Sequence, residues 1–564
     1  MTGPEWAPRS LELLEHGRLR AGCAEGVYWR PGPGRMGLTV AGASRELEVT
    51  EPRDTLRLRD RSGAVATYAR LTESPSCRSV EPPPAPLTFA VSEAPYNYQL
   101  AVADLTGDGR PDFSFRSADS LHALDNAGRR LWSAPLRSPH ALGTPRLAHA
   151  GGATHGVADV DGDGAIELVA LDAANRLHVF DGSTGRPERA IALPDPGAER
   201  VWAYVAVVDL RGRGDRDAVV QALDASPTSR AAKEVAPSFV GRTLLGWDLE
   251  GGTELWRVEQ DADTANGLYE GYWGQAHGPF RAADVDGDGR DEVVGGNLVD
   301  HDGRVVDLGY PRDWLRIVPG GHVSHLDAVM IGDLRPDLPG LEWVVTEEDW
   351  GENGGDWHTT LLSPRGVVWR VETTLFPDGN DREPQNVAPG EFDPGRPGRE
   401  IWVRSRFPRP REEGGSQHPW VLDPSGRLLA HYATADVLPP DFNTHRRGNR
   451  EGLEIIGAID WLGGDRELLV AKARHVEGNV GIFDPLTGRA VWYTPRTGPA
   501  VEATLVMAAD VVGDAREEVV IHDRRAGAIR VFVNLAPVPA SGRRSRWADP
   551  LYRRIKQNWN YYSP

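Results

Sequence analysis

Lysine is almost missing from this 564-residue chain. Only Lys233, Lys472 and Lys556 stand among 63 basic residues, so nearly every cationic task falls to arginine and few lysines can serve as a general base. Cysteine is as scarce. Cys23 and Cys77 both lie near the N-terminus, which excludes a disulfide-dense scaffold and leaves either one disulfide, favouring export, or two reduced thiols. No apolar stretch approaches the roughly 20 residues of a membrane-spanning helix, so no membrane partner is expected. The opening Met1-Thr-Gly-Pro-Glu5 is polar and acidic, unlike a basic-then-apolar signal segment. The expectation is a secreted protein whose signal is absent or removed, with a cytoplasmic protein as the alternative. Long helix patterns are few, while 64 Gly and 44 Pro punctuate short strands. A net charge of −19 opposes a phosphate backbone, so nucleic acid is not an expected partner.

What the chain has in abundance is an acidic loop. It is fullest as Asp159-Val-Asp161-Gly-Asp163-Gly-Ala-Ile-Glu167 and Asp284-Val-Asp286-Gly-Asp288-Gly-Arg-Asp291-Glu292. Carboxylates at alternate positions converge when the backbone curls, and a further carboxylate closes the shell. Hard oxygen donors in that number suit Ca²⁺ better than a softer metal. Weaker copies begin at Asp104, Asp209, Asp333, Asp393, Asp460 and Asp510. Each loop precedes a β-branched apolar run such as Glu518-Val-Val-Ile, the pattern of a buried strand. The anchors recur about every 50 to 75 residues, the period of a propeller blade with loop insertions. The spacing predicts an all-β, eight-bladed propeller. Asp104, Asp108 and Asp112 join the two full loops as expected metal ligands, whereas the loops at Asp333, Asp393 and Asp460 have lost carboxylates and read as metal-free turns.

Three regions follow. Residues 1–85 lack the acidic loop, alternate as in Thr55-Leu-Arg-Leu-Arg59, and end in Glu81-Pro-Pro-Pro-Ala-Pro86, which predicts a small N-terminal β module. Residues 86–540 form the propeller. Residues 541–564 are basic and aromatic, ending Gln557-Asn-Trp-Asn-Tyr-Tyr562, unlike an ordinary frayed terminus, and are expected to pack on the propeller.

The run Gly274-Gln-Ala-His277, then Ala283-Asp-Val-Asp-Gly-Asp-Gly, Asp300-His-Asp-Gly303, His325-Leu-Asp327-Ala, Phe392-Asp-Pro, Trp461-Leu-Gly-Gly-Asp-Arg-Glu467 and finally Asp549-Pro-Leu-Tyr-Arg resembles, in the same order, the bacterial rhamnogalacturonan lyases. The collinear likeness covers about residues 270–564. The resemblance implies an eight-bladed propeller and a Ca²⁺ held by His277, His325, Asp327 and Glu348. It also implies an Asn and a Tyr of the tail, here Asn558 and Tyr561, beside the sugar. Two departures stand out. Those lyases carry an Asn-Gly-Thr-Lys segment supplying a catalytic Lys, where this chain has Thr497-Gly-Pro-Ala with Glu502 near the Lys position. Their Gly-Arg-Gly is here Gln385-Asn386-Val387.

Elimination from a 4-linked uronate needs its carboxylate neutralised, its C5 proton removed and its 4-oxygen expelled. Arg446 and Arg447 are candidate carboxylate clamps, and His445, Lys556 or Tyr561 candidate bases. Tyr272, Trp273 and Trp350 are candidate stacking surfaces for sugar rings. The implied function is a polysaccharide lyase, acting as a monomer on an anionic polysaccharide or oligosaccharide that contains rhamnose and uronic acid. Two alternatives remain: a lyase for another rhamnose–glucuronate linkage, working from chain ends, and a non-catalytic carbohydrate- or protein-binding propeller.

Overall fold

The computed structural model describes the strands between residues 11 and 69 at backbone level. It then describes residues 86–91, 100–139, 155–197, 200–224, 243–259, 280–310, 325–348, 358–372, 384–405, 417–439, 455–472, 479–494, 503–523, 526–536 and 545–557, with a few isolated positions between 442 and 453. Seven strands from Leu11–Leu13 to Val65–Ala69 form one antiparallel meander. Beyond them stand eight four-stranded antiparallel sheets, the blades of a propeller.

Blades I to VII are each a continuous meander, spanning 100–135, 155–192, 200–259, 281–306, 325–372, 384–431 and 455–493. Blade VIII is built from both ends of the ring. Three strands, Ala503–Ala509, Glu518–Asp523 and Ala528–Phe532, come late in the chain, and the fourth is Leu87–Ala90, paired from Leu87↔Val531 to Ala90↔Ala528. This closure removes two sheet edges at once. The segment after the proline-rich spacer is therefore a blade strand.

All eight acidic anchors fall at one topological position, the turn between the first and second strand of a blade. Only turn chemistry is repeated, because the faces of a blade need just an apolar, β-branched stripe. These stripes meet between neighbouring blades. Trp202 and Trp247 of blade III pack on Val169 and Leu177 of blade II, and Trp461 and Trp492 of blade VII pack on Phe532 of blade VIII. A fourth-strand tryptophan also staples blades in pairs. Trp132, Trp256 and Trp369 donate their indole N–H to Gly182 O, His301 O and Pro424 O of the following blade, at 2.7, 2.8 and 3.0 Å. Gly303 has φ +84°, and a Cβ there would lie 2.7 Å from the Trp256 ring, so glycine is required for both backbone and space.

The tail docks. After a 3₁₀ turn at Arg546–Ala548, the helix Pro550–Gln557 (α1) lies across the acidic-turn end of the central channel. Arg554 pairs with Asp291 at 2.6 Å and with Asp215, Tyr552 OH donates to Glu467 at 2.8 Å, and Gln557 bonds both backbone groups of Val102. Blades I, III, IV and VII are thus held by one helix. Its apolar residues Tyr552, Leu551 and Ile555 extend three interblade cores.

Candidate functional site

The acidic turns divide into two kinds. In blades II and IV the first Asp folds the turn by accepting two glycine amides. Asp159 takes Gly162 N at 2.6 Å and Gly164 N at 3.0 Å, and Asp284 takes Gly287 N at 2.7 Å and Gly289 N at 3.0 Å. One carboxylate oxygen each from Asp159, Asp161 and Glu167 then lies within 4.8 Å of the others, and likewise for Asp284, Asp286 and Glu292. Asp163 and Asp288 complete the expected sets from the same turns. Glu292 is buried, its Oε2 accepts Val285 N at 2.9 Å, and its Oε1 has no hydrogen-bond partner. Burial first, then the charges of Asp286, Asp284 and Asp288, push its carboxyl up to about 9. Burial and the same kind of neighbours push Glu167 up to about 7. An orphaned buried oxygen among carboxylates fits a hard divalent cation.

Asp288, Glu292 and His301 form a further close group, but His301 does not read as a ligand. The Arg290 guanidinium can only donate, and it sits 3.0 Å from His301 Nε2, so that nitrogen accepts, while Nδ1 lies 2.8 Å from Asp300. The Nε2 lone pair is therefore already taken.

In four of the other turns the chain supplies its own cation. Arg211 of blade III occupies the third loop position, where a full loop has Asp, and its guanidinium binds Asp217 and, at 2.7 Å, Asp248. This pairing with Arg211, helped by the turn amides and opposed by burial, holds the Asp248 carboxyl down at about 2. Arg335–Asp337 at 2.7 Å, Arg396–Asp393 at 2.8 Å and Arg516–Asp514 at 2.5 Å repeat the device in blades V, VI and VIII. The blade I turn needs a correction. Asp104, Asp108 and Asp112 do not gather as the full loops do. Asp112 spends its oxygens on Thr106 N and Oγ at 3.0 Å and on Asn126 N at 2.8 Å, leaving it an anchor of the turn.

That anchoring is general. The carboxylate opening the second strand, at Asp112, Glu167, Asp217, Glu292, Glu342, Glu400 and Glu518, accepts a backbone N–H from its own turn in seven blades. The residue assigned from sequence to the metal shell is first a structural acceptor.

Lys556 is a second correction. It is 3% exposed, donates to Ala458 O, lies 3.0 Å from Glu517 and 3.9 Å from Glu467, and stands 4.9 Å over the Tyr552 ring. Burial would raise the Glu467 carboxyl, but Lys556, Arg399 and Arg546 overcome it and hold it at about 2. A lysine enclosed in this way is a clamp for α1. The channel beside it holds a cavity of about 590 Å³ lined by Val102, His155, Val207, Trp547, Arg554 and Gln557.

The other end of the channel carries the blade V candidates. In blade V the first strand, His325–Gly332, runs from that end down to the turn, and the second, Glu342–Glu348, returns. Their register sets His325 opposite Glu348, with the buried Asp327 in a bulge between Leu326 and Ala328. Three of the four residues implied by the family likeness thus come to one strand end. His445 and Arg446 lie on a two-strand hairpin, His445–Arg446 with Asn449–Arg450, between blades VI and VII. His277, Tyr272, Trp273, Trp350, Arg447, Asn558 and Tyr561 lie outside the described residues. Sequence inspection missed Glu347. It is fully buried and accepts from Tyr310 OH, Thr360 Oγ1 at 3.1 Å, His358 Nδ1 at 3.1 Å and Arg370 Nη2 at 3.0 Å. Its signal was the adjacent pair Glu347-Glu348 in a strand, where alternation sends one acid inward.

Residues 170–418 match the family described as rhamnogalacturonan lyase family 11, C-terminal domain, starting well before residue 270. The rhamnogalacturonan endolyase YesW of Bacillus subtilis (strain 168) is 25% identical over 465 residues, 81% of this chain and 60% of that protein. The rhamnogalacturonan exolyase YesX of the same organism is 28% identical over 256 residues, 44% of this chain and 34% of that protein. The chain therefore spans less than two thirds of the length of either relative. The solved structure of Bacillus licheniformis rhamnogalacturonan lyase PL11 superposes with a TM-score of 0.55 at 19% identity, covering 99% of this chain and 96% of that one, which shows the shared fold. The likeness to the rhamnogalacturonan lyases is thus carried in sequence by residues 170–418 and in fold by the whole propeller.

Proposed function

We propose that the protein is a polysaccharide lyase that cleaves a rhamnose- and uronate-containing, rhamnogalacturonan-like glycan by calcium-assisted β-elimination. The observation that carries this is the blade V strand end, where the register pairs His325 with Glu348 beside the bulge at Asp327, inside the stretch matched to the lyase family. Ca²⁺ held by His277, His325, Asp327 and Glu348 would neutralise the uronate carboxylate and so acidify its C5 proton. The turns of blades II and IV would hold further Ca²⁺ as structural ions, because they open at the channel end closed by α1.

The chain's own groups divide the remaining work. With Lys556 enclosed, the base falls to His445 or Tyr561, and Arg446 and Arg447 orient the carboxylate. Tyr272, Trp273, Trp350 and Asn558 would hold the sugar rings. A polymeric glycan as substrate accords with secretion and with a monomer working along a chain.

One observation favours a second linkage. Asn386 is buried in blade VI where the family has Arg, and Glu502 replaces its Lys, so a rhamnose–glucuronate bond attacked from the chain end is the variant to test. The test is ultraviolet absorbance of the unsaturated uronate on rhamnogalacturonan, gum arabic and ulvan, with calcium and with chelator. A chelator-sensitive rise on one glycan supports the lyase and names the uronate. A flat trace on all of them, from folded and calcium-loaded protein, favours a binding propeller.

A further inference from the structure

We infer that Glu347 and its phenol donor Tyr310 are positioning residues for the blade V strand end, fixing the backbone that presents Glu348 opposite His325. The inference rests on the reading of that strand end as a metal site. Four donors from three separate segments converge on the Glu347 carboxylate. Tyr310 comes from the connection leaving blade IV, His358 and Thr360 from the third strand of blade V, and Arg370 from its fourth. A buried carboxylate with four donors is rigid, because any displacement of the strand leaves a charge unpaired in a low-dielectric interior.

What it fixes is defined by the register. Glu347 pairs with Leu326, and the next pair outward is His325 with Glu348. Between Leu326 and Ala328 the strand is bulged at Asp327, a feature that re-aims a side chain at the cost of a local ladder contact. A bulge loosens a strand end, and the anchored Glu347 lies beside it on the partner strand. Tyr310 extends the hold across blades. It is buried, and the chain runs from it to His325 in the connection between blades IV and V. Burial first, then the Glu347 charge, raise its phenol well above its ordinary value, so it stays a donor across the working pH range.

Groups that orient metal ligands typically carry about 10- to 100-fold in metal affinity or activity. The test uses the full chain and Tyr310→Phe, which keeps the ring and leaves Glu347 three donors. Ca²⁺ stoichiometry and affinity are measured by titration calorimetry, with thermal denaturation of the metal-free protein alongside. Tyr432→Phe is the control. It removes a buried phenol that accepts from Trp402 of blade VI and donates to Pro485 O of blade VII. The expected result is that Y310F weakens one class of site by about 10-fold or more, while Y432F with a similar melting shift leaves all sites unchanged. Glu347→Gln should repeat the loss. If Y310F and Y432F shift melting alike and neither alters any affinity, the network is only structural and the inference falls. His325→Ala separates that failure from failure of the underlying reading. Loss of one Ca²⁺ equivalent keeps the strand end as a metal site, and an unchanged stoichiometry removes the site and the inference with it.

Discussion

Replacing Lys556 by Met separates a clamp from a base. The substitution keeps most of the side-chain volume and removes one buried charge. Glu467 and Glu517 would remain, both almost wholly buried, with a cation gone from between them. Breaking a buried pair in this way costs about 3–5 kcal/mol. The Glu467 carboxyl gives a similar scale from a different direction. Held at about 2 instead of its ordinary 4.5, it contributes roughly 3 kcal/mol at neutral pH. The sign is definite. A depressed carboxyl stabilises above its unfolded value, and that contribution is lost as pH falls from 4.5 through about 2. In the variant the same carboxyl rises, so the penalty is largest near neutrality and shrinks as acid protonates both forms. Urea denaturation of wild type and K556M between acid and neutral pH measures this difference directly. The structure predicts a destabilised variant that still turns over substrate per folded molecule at low temperature. Unchanged stability with abolished turnover would refute the clamp and restore Lys556 as a base.

Other outcomes follow from the two kinds of turn. Asp284→Asn should remove one calcium equivalent in titration calorimetry, whereas Asp104→Asn should remove none, since the blade I carboxylates do not gather. Arg211→Ala should lower stability by about 2 kcal/mol or more, because Asp217 is left buried beside Asp248, and added calcium should not rescue it. Gly303→Ala should melt lower at every calcium concentration, as its Cβ would meet the Trp256 ring. His325→Ala should cut turnover with little change in far-ultraviolet circular dichroism.

The fold was legible where the code is local. A β-turn with an acidic first residue and positive-φ glycines depends on some nine residues of chain, so it survives in recognisable form at Asp104 and Asp209 even where metal ligands are gone. Eight such anchors became eight blades because each turn joins the same two strands. The roles of particular carboxylates were less legible, since Glu167 and Glu292 look like metal ligands in sequence but are also acceptors for turn amides. Nor could sequence show that Arg211 stands in for an ion, because Asp248 reaches it from the end of the third strand. Lys556 misled for the same reason: Glu467 and Glu517 are 89 and 39 residues away along the chain, and only ring closure brings them under the helix. The closing strand Leu87–Ala90 is a pairing across most of the chain, which no local pattern encodes.

The central claim is elimination at a metal-dependent site, and the mass of the product tests it most directly. Hydrolysis adds one water across the cleaved bond, whereas elimination adds none and leaves a double bond in the new non-reducing uronate. Calcium-loaded protein incubated with rhamnogalacturonan, followed by mass spectrometry of the oligosaccharides, should give chains lacking that water, and chelator should stop their formation. Chains carrying the full water, or intact polymer after exhaustive incubation with folded protein, would contradict the account.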